Sequence, residues 1–310
     1  MDTSILSVEH LSKSVMAVPP LARRTDYSVN EDANLQIIRH LEAGGVSLLL
    51  YGGNANFYHL PLSEYEQTLE MLASLAADTT LVIPSAGPTL GLLMEQAKII
   101  RRFAFSTVMV LPQQGITTSL GVAKGVRAFV EAAGIPAMLY IKQDGFIEPE
   151  DAATLDREGL LSAIKYATVR PDSANDPYLR RLVDLIDPNK IISGIGEQPA
   201  IEHLRDFALG GFTSGCVCIA PRLSQALLSS IRLGFWEDAQ RIQNIFKPLE
   251  NIRNSINPIR VLHQAVESAG IAVTGPLLPM LSNVDPVDIS EIAIAAKTLF
   301  DLDQCAPVIR

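Results

Sequence analysis

Short apolar runs alternate with longer amphipathic stretches over most of this chain. Each apolar run has the length of a buried strand and is bounded by Gly, Pro, Asn or Ser, which is typical of strands covered on both faces. Eight such runs predict β-strands, at residues 14–19, 46–52, 81–85, 107–111, 136–141, 161–167, 190–194 and 213–219.

The amphipathic stretches between these runs predict helices. Seven of them lie at residues 31–43, 62–76, 89–103, 119–133, 149–157, 177–186 and 198–209. After the eighth strand the pattern predicts helices only, at 224–232, 237–254, 258–268 and 289–302. Strict alternation favours a parallel sheet closed as an α/β (β/α)8 TIM barrel. We expect the barrel to span residues 1–232 and a C-terminal helical region, 233–310, to pack on it.

Composition narrows the class of protein. The 310 residues are 48% hydrophobic, which is ample for a large core, and carry a net charge of -9, which disfavours nucleic acid and anionic membranes as partners. No apolar run reaches the roughly 18 residues of a membrane span. The acidic start, Met1-Asp2, lacks the basic segment of a secretory signal. We therefore expect a cytoplasmic protein.

Cysteine and histidine indicate neither disulfides nor a metal site. Cys216, Cys218 and Cys305 are too few and too poorly spaced for a disulfide framework, and we interpret the first two as small core residues of the last strand. The histidines are isolated from one another and from any Cys or Asp cluster, so we expect no metal.

One lysine stands in the middle of the sixth apolar run. Strand alternation puts Lys165 on one face with Ala163 and Ala167, which leave room around it. An ammonium among apolar neighbours loses hydration, so its pKa falls and more of it is free amine, which can attack a ketone and form a Schiff base. The alternative is a lysine at the strand end with its head in water.

A TIM barrel carries its chemistry at the carboxyl ends of its strands. Tyr140 closes the fifth strand, next to Lys165 on the sixth, and a phenol there could pass the protons that imine formation requires. Lys142 lies on the same strand face as Tyr140 and is an alternative candidate for the imine-forming amine. Glycines at 52–53 and 194–196 allow backbone N–H groups to approach a ligand, although each could also be an ordinary turn.

These residues resemble the dihydrodipicolinate synthase and N-acetylneuraminate lyase family of class I aldolases. The likeness runs from about residue 18 to about residue 286, and its landmarks are Ile164-Lys165, Tyr140, Ile192-Ser193-Gly194, Gly211 to Ser214, Leu60 to Glu64 and Asn257-Pro258-Ile259. The resemblance implies that Lys165 forms a Schiff base with pyruvate or a related 2-oxo acid and that Tyr140 shuttles protons. It also implies a homo-oligomer, usually a tetramer.

The chain departs from the family pattern at three loops. The family's Gly-Thr-Thr-Gly-Glu after the second strand reads Gly52-Gly53-Asn54-Ala55-Asn56 here, so a hydroxyl relay is missing. The second tyrosine expected after the fourth strand is replaced by residues 112–114, Pro-Gln-Gln. The arginine expected after the fifth strand is missing, and Lys142 could supply only a point charge.

The leading hypothesis is a Schiff-base lyase or aldolase acting on a 2-oxo acid, with no metal or organic cofactor. Lys165 and Tyr140 would be catalytic, and Gly53, Asn54, Thr213 and Gly194 would bind the substrate. Three alternatives remain open: a sugar-acid dehydratase of the same family, a non-catalytic barrel that binds a small acid, and a barrel enzyme that binds phosphate after its seventh and eighth strands. We expect a homo-oligomer, either tetramer or dimer.

Overall fold

Eight parallel strands pair in chain order and close into a barrel, in a computed structural model that describes residues 1–308. The first strand pairs with both the second and the eighth, which closes the sheet. The strands are β1 Met16–Ala17, β2 Leu48–Tyr51, β3 Leu81–Ala86, β4 Val108–Val110, β5 Ala137–Ile141, β6 Leu161–Tyr166, β7 Ile191–Ser193 and β8 Gly211–Ser214. The predicted (β/α)8 barrel is confirmed.

A helix follows each strand, and further helices continue the chain after the barrel. The helices are α1 Val8–Lys13, α2 Glu31–Ala43, α3 Leu62–Leu75, α4 Leu90–Ile100, α5 Ser119–Ala133, α6 Pro149–Arg157, α7 Pro177–Leu185, α8 Ala200–Asp206, α9 Pro221–Arg232, α10 Trp236–Ser255, α11 Pro258–Ser268 and α12 Ile289–Gln304. Helix α1 precedes the first strand and was not predicted.

The strands read as continuous apolar runs because both of their faces are covered. Every residue of β2 and of β3 is buried, with the barrel interior on one side and the helices on the other. On β6 the alternation separates the two environments. Tyr166 points outward and stacks on Tyr178 of α7, whereas Lys165 lines the cavity at the end of the barrel. The strand-face prediction for this run is therefore correct.

Several predicted elements differ from the structure. The first strand, predicted at 14–19, spans only Met16–Ala17. The strand expected at 213–219 was wrong, because β8 ends at Ser214 and Cys216–Cys218 form a 3-10 turn. A short apolar run does not distinguish a strand from a buried turn. Both cysteines are nevertheless buried core residues, as expected. Helix α8 is shorter than predicted, and Ala208 adopts a left-handed φ of 58° beyond its end.

The C-terminal helices share the apolar core of the barrel. One buried cluster includes Leu228 of α9 and Phe246 of α10, and α11 contacts the 3-10 turn Gly53–Ala55 that follows β2. This contact brings α11 to the end of the barrel where the strands terminate. The division of the chain at residue 232 stays a prediction. In residues 1–308 no helix is both long and apolar enough to cross a membrane.

Candidate active site

A cavity of about 280 Å³ opens at the carboxyl ends of the strands. Its walls come from β2, β4, β5, β6 and β8, from the loops that follow β1, β2 and β7, and from the segment that joins α10 to α11 with the adjoining ends of these helices. All six residues predicted from the sequence to form the site line this one cavity: Lys165, Tyr140, Gly53, Asn54, Thr213 and Gly194. The barrel geometry brings them together although they are far apart in the chain.

Lys165 projects from β6 into the cavity with its side chain 6% exposed. Its Cα pairs with that of Tyr140 on β5, so the two side chains project side by side, and its Nζ lies 4.7 Å from the centre of the Tyr140 ring. Desolvation by burial lowers the pKa of Lys165 to about 7, with smaller contributions from the positive charges of Lys142 and Arg253. A large fraction of this amine is therefore unprotonated at neutral pH.

Two tyrosines face the same cavity. Burial raises the pKa of Tyr140 to about 12, so its phenol stays neutral and can donate or accept a proton. Tyr58 enters from the 3-10 turn Phe57–His59, and its hydroxyl donates to the Pro112 carbonyl at 3.3 Å. The pKa of Tyr58 is raised by burial and by the neighbouring Tyr140.

Tyr58 was not singled out in the sequence. The second tyrosine expected after the fourth strand is replaced at residues 112–114, and Tyr58 supplies a second phenol from a different loop. The one feature of the sequence that could have indicated Tyr58 is its position shortly after the Gly52-Gly53 turn, at the end of a predicted strand. A phenol near Tyr140 can take the place of a missing hydroxyl in a proton relay.

The turn after β2 contributes Gly53 and Asn54 to the lining of the cavity. Gly53 and Asn54 begin the 3-10 turn Gly53–Ala55, where N–H groups have no acceptor within the turn. The Asn54 amide nitrogen donates to the Val18 carbonyl at 2.9 Å, and the Asn54 carbonyl accepts from His263 at 2.9 Å. Asn54 thus ties the loop to β1 and α11, and its expected side-chain contact with a ligand carboxylate would have to compete with Val18.

Thr213 and Gly194 also line the cavity, the first on β8 and the second directly after β7. Thr213 is 1% exposed on β8 and lines the cavity. The Gly194 N–H is not free for a ligand, because it donates to the Tyr166 carbonyl at 2.6 Å. A Cβ on Gly194 would lie 2.7 Å from the Ala167 Cβ and 3.0 Å from the Lys165 Cε, so this glycine makes room for the lysine.

Gly196 likewise makes room for a protein side chain. A Cβ there would lie 2.2 Å from an oxygen of Glu250, on α10. The glycines after β7 therefore serve internal packing, which removes the main support for the phosphate-binding alternative.

Two further cations line the cavity, and one of them was not predicted. Lys142 is exposed at its edge, whereas Arg253, in the last turn of α10, is only 8% exposed. Nothing local in the sequence distinguishes Arg253 from other helix arginines, because its position depends on how α10 packs against the turn that follows β8. Across residues 1–308, no group of three or more His, Cys, Asp or Glu side chains is placed to hold a metal ion.

Comparison with known proteins finds two curated relatives, at 25% and 24% sequence identity. No model of a protein family matches the chain. It is 25% identical to a 4-hydroxy-tetrahydrodipicolinate synthase of Exiguobacterium sibiricum over 253 residues, 79% of this chain and 84% of that protein. It is 24% identical to a probable 5-dehydro-4-deoxyglucarate dehydratase of Saccharopolyspora erythraea over 295 residues, 93% of both proteins.

A solved structure gives the same relationship at the level of the fold. The sialic acid aldolase of Ruminococcus gnavus superposes with a TM-score of 0.84 and 15% identity, covering 96% of this chain and all of that one. The barrel fold and the two curated relatives indicate the same group of proteins. Within the barrel, Lys165 and Tyr140 are paired on adjacent strands. The chain is thus similar, at 25% identity or less, to members of the dihydrodipicolinate synthase and N-acetylneuraminate lyase family.

Proposed function

We propose that this protein is a Schiff-base-forming lyase of the class I aldolase type that acts on pyruvate or another 2-oxo acid. The observation that carries the proposal is the Lys165 amine, which is buried in the barrel with a pKa near 7 and lies against the Tyr140 ring. Such an amine is nucleophilic at neutral pH, whereas an exposed lysine is almost fully protonated.

The chemistry follows from these groups. The Lys165 amine adds to the ketone carbon, a proton passes to the ketone oxygen, and water leaves to give a protonated imine. Tyr140 donates and accepts these protons, and Tyr58, which lines the same cavity, is a second phenol available to the relay. The imine nitrogen then accepts the electron pair released when a bond at the neighbouring carbon breaks. The residues of this chain carry every step.

The substrate carboxylate needs hydrogen-bond donors near the imine carbon. Gly53 and Asn54, whose N–H groups have no acceptor within their turn, and Thr213, which carries a hydroxyl, line the cavity and are the candidates. Gly194 remains part of the proposed substrate site because it leaves space beside Lys165. Its contribution is steric.

The proposal is tested by reductive trapping. The protein is incubated with pyruvate and borohydride, and the adduct is located by mass spectrometry of its peptides. We expect modification of Lys165, and none in Lys165→Met. Lys142→Met is the matched control for the rival amine and should still be modified. Unmodified Lys165 across a range of 2-oxo acids would refute the imine mechanism. Pyruvate binding that is unchanged by Lys165→Met would favour a non-catalytic binding barrel.

Dehydration of a sugar acid is the second candidate reaction. It is favoured by the length of the alignment with the probable 5-dehydro-4-deoxyglucarate dehydratase, which covers 93% of this chain, whereas the synthase alignment covers 79%. Both reactions use the same imine. Loss of water from a 2-oxo sugar acid, followed as a new 2-oxo product, distinguishes a dehydratase from an enzyme that joins or cleaves carbon chains.

Assembly into a homo-oligomer, a tetramer or a dimer, is part of the proposal. Exposed Leu90 and Ile116 border an apolar groove between α4 and α5, which a second copy could cover. Light scattering of the purified protein measures the mass of the assembly. The cytoplasmic location expected from the sequence stays a prediction.

A further inference from the structure

Arg253 is a buried cation whose charge is directed at the cavity. Its side chain is 8% exposed and its guanidinium lies against the backbone at the end of β8, where a Cβ on Gly215 would be 2.6 Å from Nη2. Its contacts with the protein are weak for a charged group. Nε donates to the Pro258 carbonyl at 3.4 Å and Nη1 to the Cys216 sulfur at 3.7 Å. A guanidinium has five donors, and here most lack a strong acceptor.

The nearest carboxyl groups, those of Glu250 and Glu197, interact electrostatically with Arg253 and are hydrogen-bonded to other groups. Glu250 accepts the Glu197 backbone N–H at 2.9 Å, and Glu197 accepts the Ser224 hydroxyl at 2.6 Å. The second oxygen of each glutamate is buried and has no hydrogen-bond partner. In residues 1–308 no carboxylate oxygen lies within 4.0 Å of the Arg253 guanidinium, so it forms no direct ion pair.

The cavity as a whole is positively charged inside an acidic protein. Lys165, Lys142 and Arg253 line it, and no Asp or Glu of the described part of the chain does, although the protein carries a net charge of -9. A 2-oxo acid with one carboxylate uses the donors near Lys165 and leaves Arg253 unpaired. A buried guanidinium is stabilised by a carboxylate that it can bind through two parallel hydrogen bonds.

We propose that Arg253 binds a second, distal carboxylate, and that the preferred substrates are therefore 2-oxo dicarboxylic acids. The assignment builds on the proposed imine at Lys165. In the family pattern, an arginine in the loop after the fifth strand binds the distal carboxylate. Here that carboxylate would be bound by Arg253 of α10, beside the end of β8. A cavity of about 280 Å³ accommodates a chain of about six carbons.

The test compares matched pairs of 2-oxo acids in the borohydride assay. Oxaloacetate, 2-oxoglutarate and 2-oxoadipate are paired with 2-oxobutyrate, 2-oxopentanoate and 2-oxohexanoate, and the concentration giving half-maximal trapping of Lys165 is measured for each. We expect at least one dicarboxylate to half-saturate at a concentration tenfold or more below that of its partner. Arg253→Met should abolish this advantage, taken as the ratio within each pair, because its effect on the pKa of Lys165 is common to both members of a pair.

Arg241→Met is the matched control, because it removes a positive charge from the exposed face of the same helix. It should leave the dicarboxylate advantage intact. Arg253→Lys, which keeps the charge but not the paired donors, should retain part of it. Should Arg253→Met not fold, the proposal is still tested by the ratio of half-saturating concentrations within each pair, measured for the wild-type protein and for Arg253→Lys.

Equal half-saturation of every pair by the wild-type protein would overturn the second-carboxylate site while leaving the imine mechanism standing, provided that pyruvate still traps Lys165. An advantage that survives in a folded Arg253→Met would also overturn it. Failure of all 2-oxo acids, pyruvate included, to trap Lys165 would overturn the proposed function itself.

Discussion

Lys165 and Tyr140 are register partners on adjacent strands, and the lysine Nζ lies 4.7 Å from the centre of the tyrosine ring. Paired residues of parallel strands project to the same side of a sheet, so this one register fixes both groups inside the barrel. The ring forms part of the apolar surface that desolvates the amine, and its hydroxyl remains a neutral proton carrier. Nucleophile and proton carrier are thus set by a single strand pairing.

Imine formation should depend on the ionisation of Lys165. The pKa of this amine is lowered to about 7, so the reactive free base dominates above that pH and is lost below it. We expect the rate of pyruvate trapping to rise with pH to a midpoint near 7 and then level off, since Tyr140 stays protonated to about pH 12. The rate is measured from pH 5 to 9.

Removing a neighbouring cation should move this midpoint in a known direction. Lys142 disfavours the charged form of Lys165, so Lys142→Met should raise the pKa of Lys165 and shift the midpoint to higher pH. Lys98→Met, on the exposed surface of α4, is the control and should leave the midpoint unchanged. A downward shift in Lys142→Met would contradict the electrostatic account.

Loss of the Tyr140 hydroxyl should slow proton transfer. Tyr140→Phe keeps the ring beside Lys165, so we expect the turnover rate to fall by about 10²- to 10⁴-fold with little change in substrate half-saturation. Tyr58→Phe should give a smaller decrease in the same parameter. Tyr178→Phe also loses a bonded phenol, but on the outer side of the barrel, and should retain full activity. Equal effects of all three changes would argue against a relay in the cavity.

Gly194 should tolerate no side chain. The added Cβ of Gly194→Ala would lie 3.0 Å from the Lys165 Cε and 2.7 Å from the Ala167 Cβ, so the lysine must shift. We expect about 1–3 kcal/mol of destabilisation, typical of overpacking, and a loss of adduct formation. Gly91→Ala on α4 meets nothing within 4 Å and should stabilise the protein by about 0.5–1 kcal/mol without affecting trapping. Urea unfolding and the trapping assay measure the two effects.

Glu250 should make stability depend on pH. Burial, and then the Glu197 carboxylate, raise the pKa of Glu250 well above its ordinary value. The protonated form is therefore favoured in the folded state, and its stabilising contribution is complete below the ordinary pKa and lost as pH rises through the raised one. The neutral Glu250→Gln should be more stable than wild type at pH 8, on the order of 1–3 kcal/mol, and similar to it near pH 4.

Urea unfolding at both pH values measures this difference. Glu237→Gln removes an exposed carboxylate from the same helix and should change little at either pH. A Glu250→Gln protein less stable than wild type at pH 8 would contradict the assignment of a protonated Glu250.

The hydrophobic pattern determined the barrel, because buried parallel strands and amphipathic helices leave different periods in a sequence. It also determined which face of β6 carries Lys165, since alternation is a local property of a strand. Tyr140 followed from the same rule applied to β5. The pattern failed at residues 213–219, where a short apolar run became the end of β8 followed by a 3-10 turn.

Only the tertiary structure decided which donors are free and which charges are paired. The Gly194 N–H is taken up by Tyr166 and the Asn54 amide by Val18, and neither contact is visible in the chain order. Arg253 reaches the cavity because α10 packs on the turn that follows β8, and Tyr58 reaches it from the 3-10 turn Phe57–His59. Local sequence fixes the direction of a side chain relative to its own backbone, whereas its partners and its desolvation depend on segments that folding brings next to it.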